Sequence, residues 1–143
     1  MGLMNVLKIG SSGLAAQRLR MEVLSSNLSN VNTTRGVNGK PYERMTPLFR
    51  AAPNGTEFAS VLDQQRKLYE VRVDKVVKDG RDPVRVYEPG HPDADDEGYV
   101  LYPNINVMEE MVGLMGASRS YEANLSAITA AKEAAKKALE LGR

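Results

Sequence analysis

Apolar residues recur in alternating steps of three and four near the start of the chain: Leu3, Leu7, Leu14, Met21, Leu24, Leu28 and Val31. That period predicts an amphipathic helix from about Leu3 to Val31. Gly10 and Gln17 fall on the same stripe and interrupt it. A thinner row, Ile9, Ala16, Leu19 and Val23, lies on the opposite side at about 100° per residue. One partner helix cannot cover both faces. The pattern leaves two settings open, the centre of a small bundle or a place among neighbours in a polymer. Asn30-Val31-Asn32-Thr33-Thr34-Arg35-Gly36 predicts the stop. Asn and Thr compete there for backbone hydrogen bonds, and glycine tolerates a positive φ.

The same period returns at the other end. From Asn104 onward a seam runs through Val107, Met111, Leu114, Ser118, Tyr121, Leu125, Ile128, Lys132, Ala135 and Leu139. Asn106 followed by Glu109 predicts a capping-box-like start, and Gly142 an end. The remaining faces are rich in small residues, among them Gly113, Gly116, Ala117, Ala127, Ala131 and Ala138. Ser118 and Lys132 are polar at packing positions, where such residues either fix register or mark the stripe's edge. Such a helix is roughly 55 Å long at about 1.5 Å per residue. With two apolar sides on the first helix, this length argues against one antiparallel hairpin closing its own core, and for cover by the first helix together with the same helices of other subunits.

Between the helices the period changes. Six of the seven prolines lie inside 36–103 and the seventh, Pro103, closes it, which excludes long helices. Tyr42–Arg50, Val71–Val77, Val84–Tyr87 and Gly98–Tyr102 read as strands, separated by turn signals at Asn38-Gly39, Asn54-Gly55, Asp79-Gly80 and Glu88-Pro89-Gly90-His91-Pro92. One small antiparallel sheet is expected. Phe58–Tyr69 is open between a short helix and a loop. The fold class is therefore α+β: long terminal helices packing as a coiled-coil-like α domain, with a small antiparallel β domain inserted. The expected boundaries are 1–35, 36–103 and 104–143.

Composition narrows the function. Only 6% of the 143 residues are aromatic, few for a self-sufficient core, so much burial is expected between helices. A net charge of +1 with no basic block gives no sign of a nucleic-acid partner. The absence of cysteine removes disulfides, thiol nucleophiles and thiolate metal sites. No apolar run of about 18 residues is present, and the N-terminal stretch is broken by Asn5, Lys8, Gly10, Ser11 and Ser12, so it does not read as a secretory signal.

Candidate chemistry is sparse. His91, the only histidine, sits between Pro89 and Pro92, where a rigid turn packed on the sheet is favoured over a general base. Asp93, Asp95, Glu97 and Gly98 match the start of a calcium loop, but Asn104 stands where the closing glutamate belongs. Ser25 and Ser26 lack a nucleophile elbow, and no phosphate loop appears. Neither a cofactor, a metal nor a small-molecule substrate is expected, and a hydrolase is the remotest reading.

Two segments carry a resemblance. Ser25-Ser26-Asn27-Leu28-Ser29-Asn30-Val31-Asn32-Thr33 resembles the N-terminal signature of bacterial flagellar axial proteins of the rod and hook class. Asn106-Val107, Glu110-Met111 and Ser118-Arg119-Ser120-Tyr121-Glu122-Ala123-Asn124 resemble their C-terminal signature. Within the class, Tyr87-Glu88-Pro89-Gly90-His91-Pro92, Gly98-Tyr99-Val100 and Pro103-Asn104-Ile105-Asn106-Val107 look like the short proximal rod members. The resemblance implies a hollow tube of subunits, walled by the terminal helices and serving as a drive shaft in the basal body. It implies as partners other copies of the chain, other rod proteins, a rod-base adaptor, the membrane ring complex and the flagellar type III export apparatus. The expected assembly interface is Leu7, Leu14, Met21, Leu24, Asn27, Leu28, Asn30, Val31, Asn32, Val107, Met111, Leu114, Tyr121, Asn124, Leu125, Ile128 and Leu139. The terminal helices are expected to be poorly ordered in a free subunit, since helices gain most of their stability from packing. A self-contained helical adaptor with a β insert is the alternative.

Overall fold

The computed structural model describes residues 3–36, 38–53 and 69–142. Along the chain these form α1 (Leu3–Ser29), β1 (Met45–Pro53), β2 (Tyr69–Lys78), β3 (Val84–Tyr87), β4 (Tyr99–Tyr102) and α2 (Val107–Leu141). The ambiguous Phe58–Tyr69 stretch and the Asn54-Gly55 turn lie almost wholly outside the described residues.

Both helix ends are made by asparagine. At the end of α1 the Asn30 side chain turns back, its Nδ2 donating to the Ser26 carbonyl at 2.8 Å, while Thr33 Oγ1 donates to Asn30 Oδ1 at 3.2 Å. The helix therefore stops before the chain reaches Gly36. At the start of α2, Asn106 Oδ1 accepts from the Met108 and Glu109 amides. The reciprocal half of a capping box is not made, because Glu109 turns outward to Arg81.

The two helices pair with each other. Gly10 faces Ile128, Gly13 faces Asn124, Leu24 lies over Gly113, and Asn27 bonds to Glu110. Numbers rise along one helix as they fall along the other, so the pair is antiparallel. This corrects the expectation that the helices would not form one hairpin. The glycines explain it: a Cβ at Gly10 would lie 2.6 Å from Ile128 Cγ1, and one at Gly13 would lie 3.0 Å from Asn124 Nδ2. Close approach through small residues substitutes for the large apolar contact that the seam predicted. The core so closed is slight: among the described residues its buried apolar members are Ala16, Val23, Leu24 and Ala117.

The β region also differs from expectation. It forms two separate antiparallel ribbons, β1–β2 and β3–β4, in place of one sheet. Both outer edges of the first ribbon are occupied or blunted. On β1, the Asn27 side chain bonds both backbone groups of Met45, and Pro47, two residues on along the same edge, has no N–H. On β2, the Val71 amide donates to Ser12 Oγ of α1 at 3.2 Å. Neither edge is left for β3. The register slips between Leu48 and Phe49, leaving Asp74 unpaired as a bulge. The Tyr42–Arg50 strand is displaced to Met45–Pro53 because Tyr42 and Arg44 are drawn into side-chain bonds.

In the second ribbon, Val100 faces inward and is buried, while Arg85, Tyr87, Tyr99 and Leu101 face outward and are exposed. The loop that joins its strands turns at Gly98, whose φ is +84° and whose Cβ would stand 3.0 Å from the Tyr87 ring and 3.2 Å from Pro89. No helix among the described residues is long and apolar enough to cross a membrane. Gly98→Ala is expected to cost about 1–3 kcal/mol, combining a strained φ with a clash. Gly90→Ala, with open space around it and no positive φ, is expected to be nearly neutral. Urea unfolding of the two variants checks the contrast.

Candidate assembly interface

Where α1, α2 and the first ribbon meet, the contact is polar and buried. Asn27 and Glu110 are 0% and 1% exposed. Asn27 lies one turn from the end of α1, and Glu110 in the first turn of α2, so antiparallel pairing brings them together at one end of the hairpin. The Asn27 carboxamide makes all four of its hydrogen bonds. Nδ2 donates to the Met45 carbonyl at 2.9 Å and to Glu110 Oε2 at 3.0 Å. Oδ1 accepts from the Met45 amide at 2.9 Å and from the Tyr42 hydroxyl at 3.0 Å. Toward β1 the amide thus acts as a peptide unit of a missing third strand.

Glu110 passes the connection on. Its Oε1 accepts from Arg44 Nε at 2.6 Å, and Arg44 Nη1 donates to Thr46 Oγ1 and to Asp79 Oδ2. Burial pulls the Arg44 pKa down, but hydrogen bonds to Glu110 and Asp79 outweigh it and the net shift is upward. Outside this core Arg81 reaches Asp79 Oδ2 with Nε and takes Glu109 in a two-pronged grip. The Arg81 hydrogen bond is the main reason the Glu109 carboxyl titrates below the usual glutamate range, and it raises Arg81 in turn. The acids and guanidiniums alternate around a ring that joins α2 to Arg44, just before β1, and to the turn after β2.

The seam residues divide. On α2 the residues that are not exposed are Glu110, Gly113, Leu114, Ala117, Ser118, Tyr121, Asn124, Ile128, Ala131 and Ala135. These include one row of the expected seam, Leu114, Tyr121, Ile128 and Ala135. The other row that α1 covers is Glu110, Ala117, Asn124 and Ala131, on the side of small and polar residues. Val107, Met111, Leu125 and Leu139 of the seam remain exposed, as does Lys132. Met108, Met111, Val112 and Met115 gather on the outer side of the first turns of α2 and are 46–68% exposed. On α1, Leu24 and Asn27 are buried and Leu7, Leu14, Met21 and Leu28 are half-buried; in the turn after it Asn30 and Val31 are half-buried and Asn32 is exposed.

The residues that hinted at chemistry have structural partners. His91 Nδ1 accepts the Asp93 amide, and its ring stands edge-on to Tyr102 of β4, 6.2 Å between centroids. Asp95 organises its loop: Oδ1 accepts the Tyr99 and Glu97 amides, and Oδ2 pairs with Arg85. The Tyr99 amide bond is the main cause of its lowered pKa. Sequence reasoning placed Asn27 in the interface but missed its partner Glu110, and Arg44 and Asp79 behind it. The one available signal was Glu110 lying on the row of small residues at 117 and 131, an unusual place for a charge.

Comparison with known proteins fits this arrangement of paired ends and inserted ribbons. The model of the family described as flagella basal body rod protein matches residues 7–35, and that of flagellar basal body rod FlgEFG protein C-terminal matches residues 96–141. The flagellar basal-body rod protein FlgC of Bacillus subtilis (strain 168) is 43% identical, covering 96% of each chain. The chain belongs to the FlgC family of flagellar basal-body rod proteins. The FlgC proteins of Salmonella typhimurium and Aquifex aeolicus are 40% and 39% identical, the first over the full length of both chains and the second over 93% of this one and 92% of its own. Membership makes this a structural protein of the flagellar basal body rod rather than an enzyme, one that assembles with other basal-body rod proteins.

Two outcomes follow from the junction. Glu110→Ala removes one of the two carboxylates that pair a part-buried guanidinium and the acceptor of a buried amide donor, and is expected to cost about 1–3 kcal/mol in urea unfolding. Arg81→Ala, at an exposed ion pair, is expected to leave stability nearly unchanged at neutral pH. The small advantage that Arg81 does give has a fixed sign with pH. Glu109 has a lowered folded pKa, so its contribution is fully present above the ordinary glutamate pKa of about 4.3 and is lost as pH falls through the folded value. The stability difference between Arg81→Ala and the unaltered chain is therefore expected to shrink in acid unfolding curves taken downward from pH 6.

Proposed function

We propose that the chain polymerises through its terminal helices into part of the proximal rod, a hollow shaft that transmits torque and passes exported subunits. In this reading residues 1–35 and 104–143 are one coiled-coil-like wall domain, and 36–103 is a β domain carried outside it. The carrying observation is the division of the α2 seam. α1 covers one row from Leu114 onward, and the apolar members of the other, Met111, Leu125 and Leu139, stay 46–76% exposed on the same helix, interrupted by Ser118 and Lys132. Large apolar side chains left open at heptad-related positions beside a helix pair invite a further helix. Completing burial of each such side chain contributes on the order of 1 kcal/mol, about half of the full value for a large residue.

Neighbouring rod proteins, further copies of the chain, a rod-base adaptor and the membrane ring complex are the partners this reading names. The Asn30, Val31 and Asn32 turn and the Met108 to Met115 patch lie at the same end of the helix pair, where a subunit stacked along the shaft would meet it. Export through the flagellar type III apparatus, without a cleaved signal peptide, completes the reading.

Leu125→Asp tests it. Leu125 is 49% exposed in the single chain, so the substitution is expected to leave the chain's own fold and unfolding midpoint nearly unchanged. It is expected to abolish rod formation, seen as loss of motility and of rods in purified basal bodies by electron microscopy. A variant that still builds a rod refutes the seam as an assembly interface. A chain that forms only a small discrete oligomer at high concentration, with ordered termini, supports the adaptor reading instead.

A further inference from the structure

We propose that the thioethers of Met108, Met111 and Met115 form a site of reversible oxidation, and that a subunit carrying sulfoxide there is not built into a rod. The proposal rests on the reading that a neighbouring rod subunit covers this end of the helix pair. The substrate class is the two-electron oxidants, of which hydrogen peroxide is the simplest.

Met108, Met111, Val112 and Met115 are spaced i, i+3, i+4 and i+7, which sets them on one side of α2. Glu110 and Ala117, the buried residues of that helix, stand on the opposite side. The three methionines are 68%, 46% and 54% exposed, so a small oxidant has access to each side chain. Met21 and Met45 are half-buried, and Met4 is exposed at the far end of the pair. The chain has no cysteine to compete for the oxidant. Access is the same whether or not α1 and α2 are paired in a free subunit, since the patch faces away from α1.

A thioether is soft and apolar and fills irregular contacts well. Its sulfur lone pair attacks one oxygen of hydrogen peroxide, the O–O bond breaks, and the released hydroxide takes up a proton. Thioether and peroxide thus give sulfoxide and water. The product is polar and chiral. None of the four side chains of the patch donates a hydrogen bond. A sulfoxide oxygen pressed under a neighbour has no partner within the patch and is held back by water. A sulfoxide reductase reverses the change, the oxygen leaving as water while two thiols become a disulfide. Free subunits are thereby sorted, because only the reduced form completes an apolar contact.

Trypsin isolates the site: the peptide Val86–Arg119 contains Met108, Met111 and Met115 and no other methionine. Motile cells are given a pulse of isotope-labelled amino acids, then hydrogen peroxide, and basal bodies are isolated after assembly has continued. By mass spectrometry, the sulfoxide fraction of the labelled peptide is expected to be lower in rods than in the unassembled pool by about tenfold or more. Equal fractions overturn the proposal and leave the assembly reading, tested at Leu125, untouched. That measurement needs no variant. Met108→Gln, Met111→Gln and Met115→Gln together keep helix propensity and imitate the polarity of the sulfoxide, and are expected to lower rods per cell by about tenfold. Rod numbers equal to those of the unaltered chain overturn the proposal. The matching triple leucine variant has no sulfur to oxidise at this site. Its ratio of rods built with peroxide to rods built without is expected to exceed the unaltered chain's several-fold, and equal ratios overturn the proposal.

Discussion

One carboxamide constrains this chain more than any other group. Asn27 is fully buried, and a buried amide is tolerated only when its donors and acceptors are all met. It needs the backbone of β1 on one side, Tyr42 on another, and a carboxylate from α2 on a third. Helix pairing and ribbon docking therefore cannot be satisfied separately. Glu110 imposes the same condition from its side, since its two oxygens serve Asn27 and Arg44. A protein with so small an apolar core depends on this junction for the uniqueness of its fold, and the hydrophobic contacts elsewhere are free to be incomplete.

That incompleteness is what the proposed assembly builds on. A self-sufficient domain would place its seam inward and its charges outward. Here α2 turns a row of small residues and one charge toward α1, and keeps half of its large apolar seam outside. Gly10, Gly13 and Gly113 let the helices approach without those large side chains. The rotation of α2 is thus a choice about what remains available, and the polar junction holds that rotation. Membership in the FlgC family of basal-body rod proteins is what makes the exposed side chains candidates for the proposed assembly.

The terminal helices were legible because their period is long and local. Leu3 to Ser29 and Val107 to Leu141 follow from step patterns and asparagine ends, with errors of two residues or so. The rotation of α2 was not legible. Its two candidate faces share Leu114, Tyr121, Ile128 and Ala135, and period alone favours the side with larger neighbours. What decided it was the steric allowance of glycines on the other helix, a property of the pair. The single expected sheet failed for a similar reason: alternation finds strands, but it does not register that Asn27 and Ser12 occupy their edges. Arg44 and Asp79 gave no signal, since an arginine in an expected strand and an aspartate in a turn read as ordinary surface until a buried carboxylate is placed beside them.

If the junction acts as one unit, its members are energetically coupled even where they do not touch. Asn27 and Arg44 meet only through Glu110. A double-mutant cycle of Asn27→Ala and Arg44→Ala, read in urea unfolding, measures that coupling directly. The expected result is an interaction energy above about 1 kcal/mol, with the double variant less destabilised than the two single changes sum to. Additivity within about 0.3–0.5 kcal/mol, the figure for independent sites, would contradict the account.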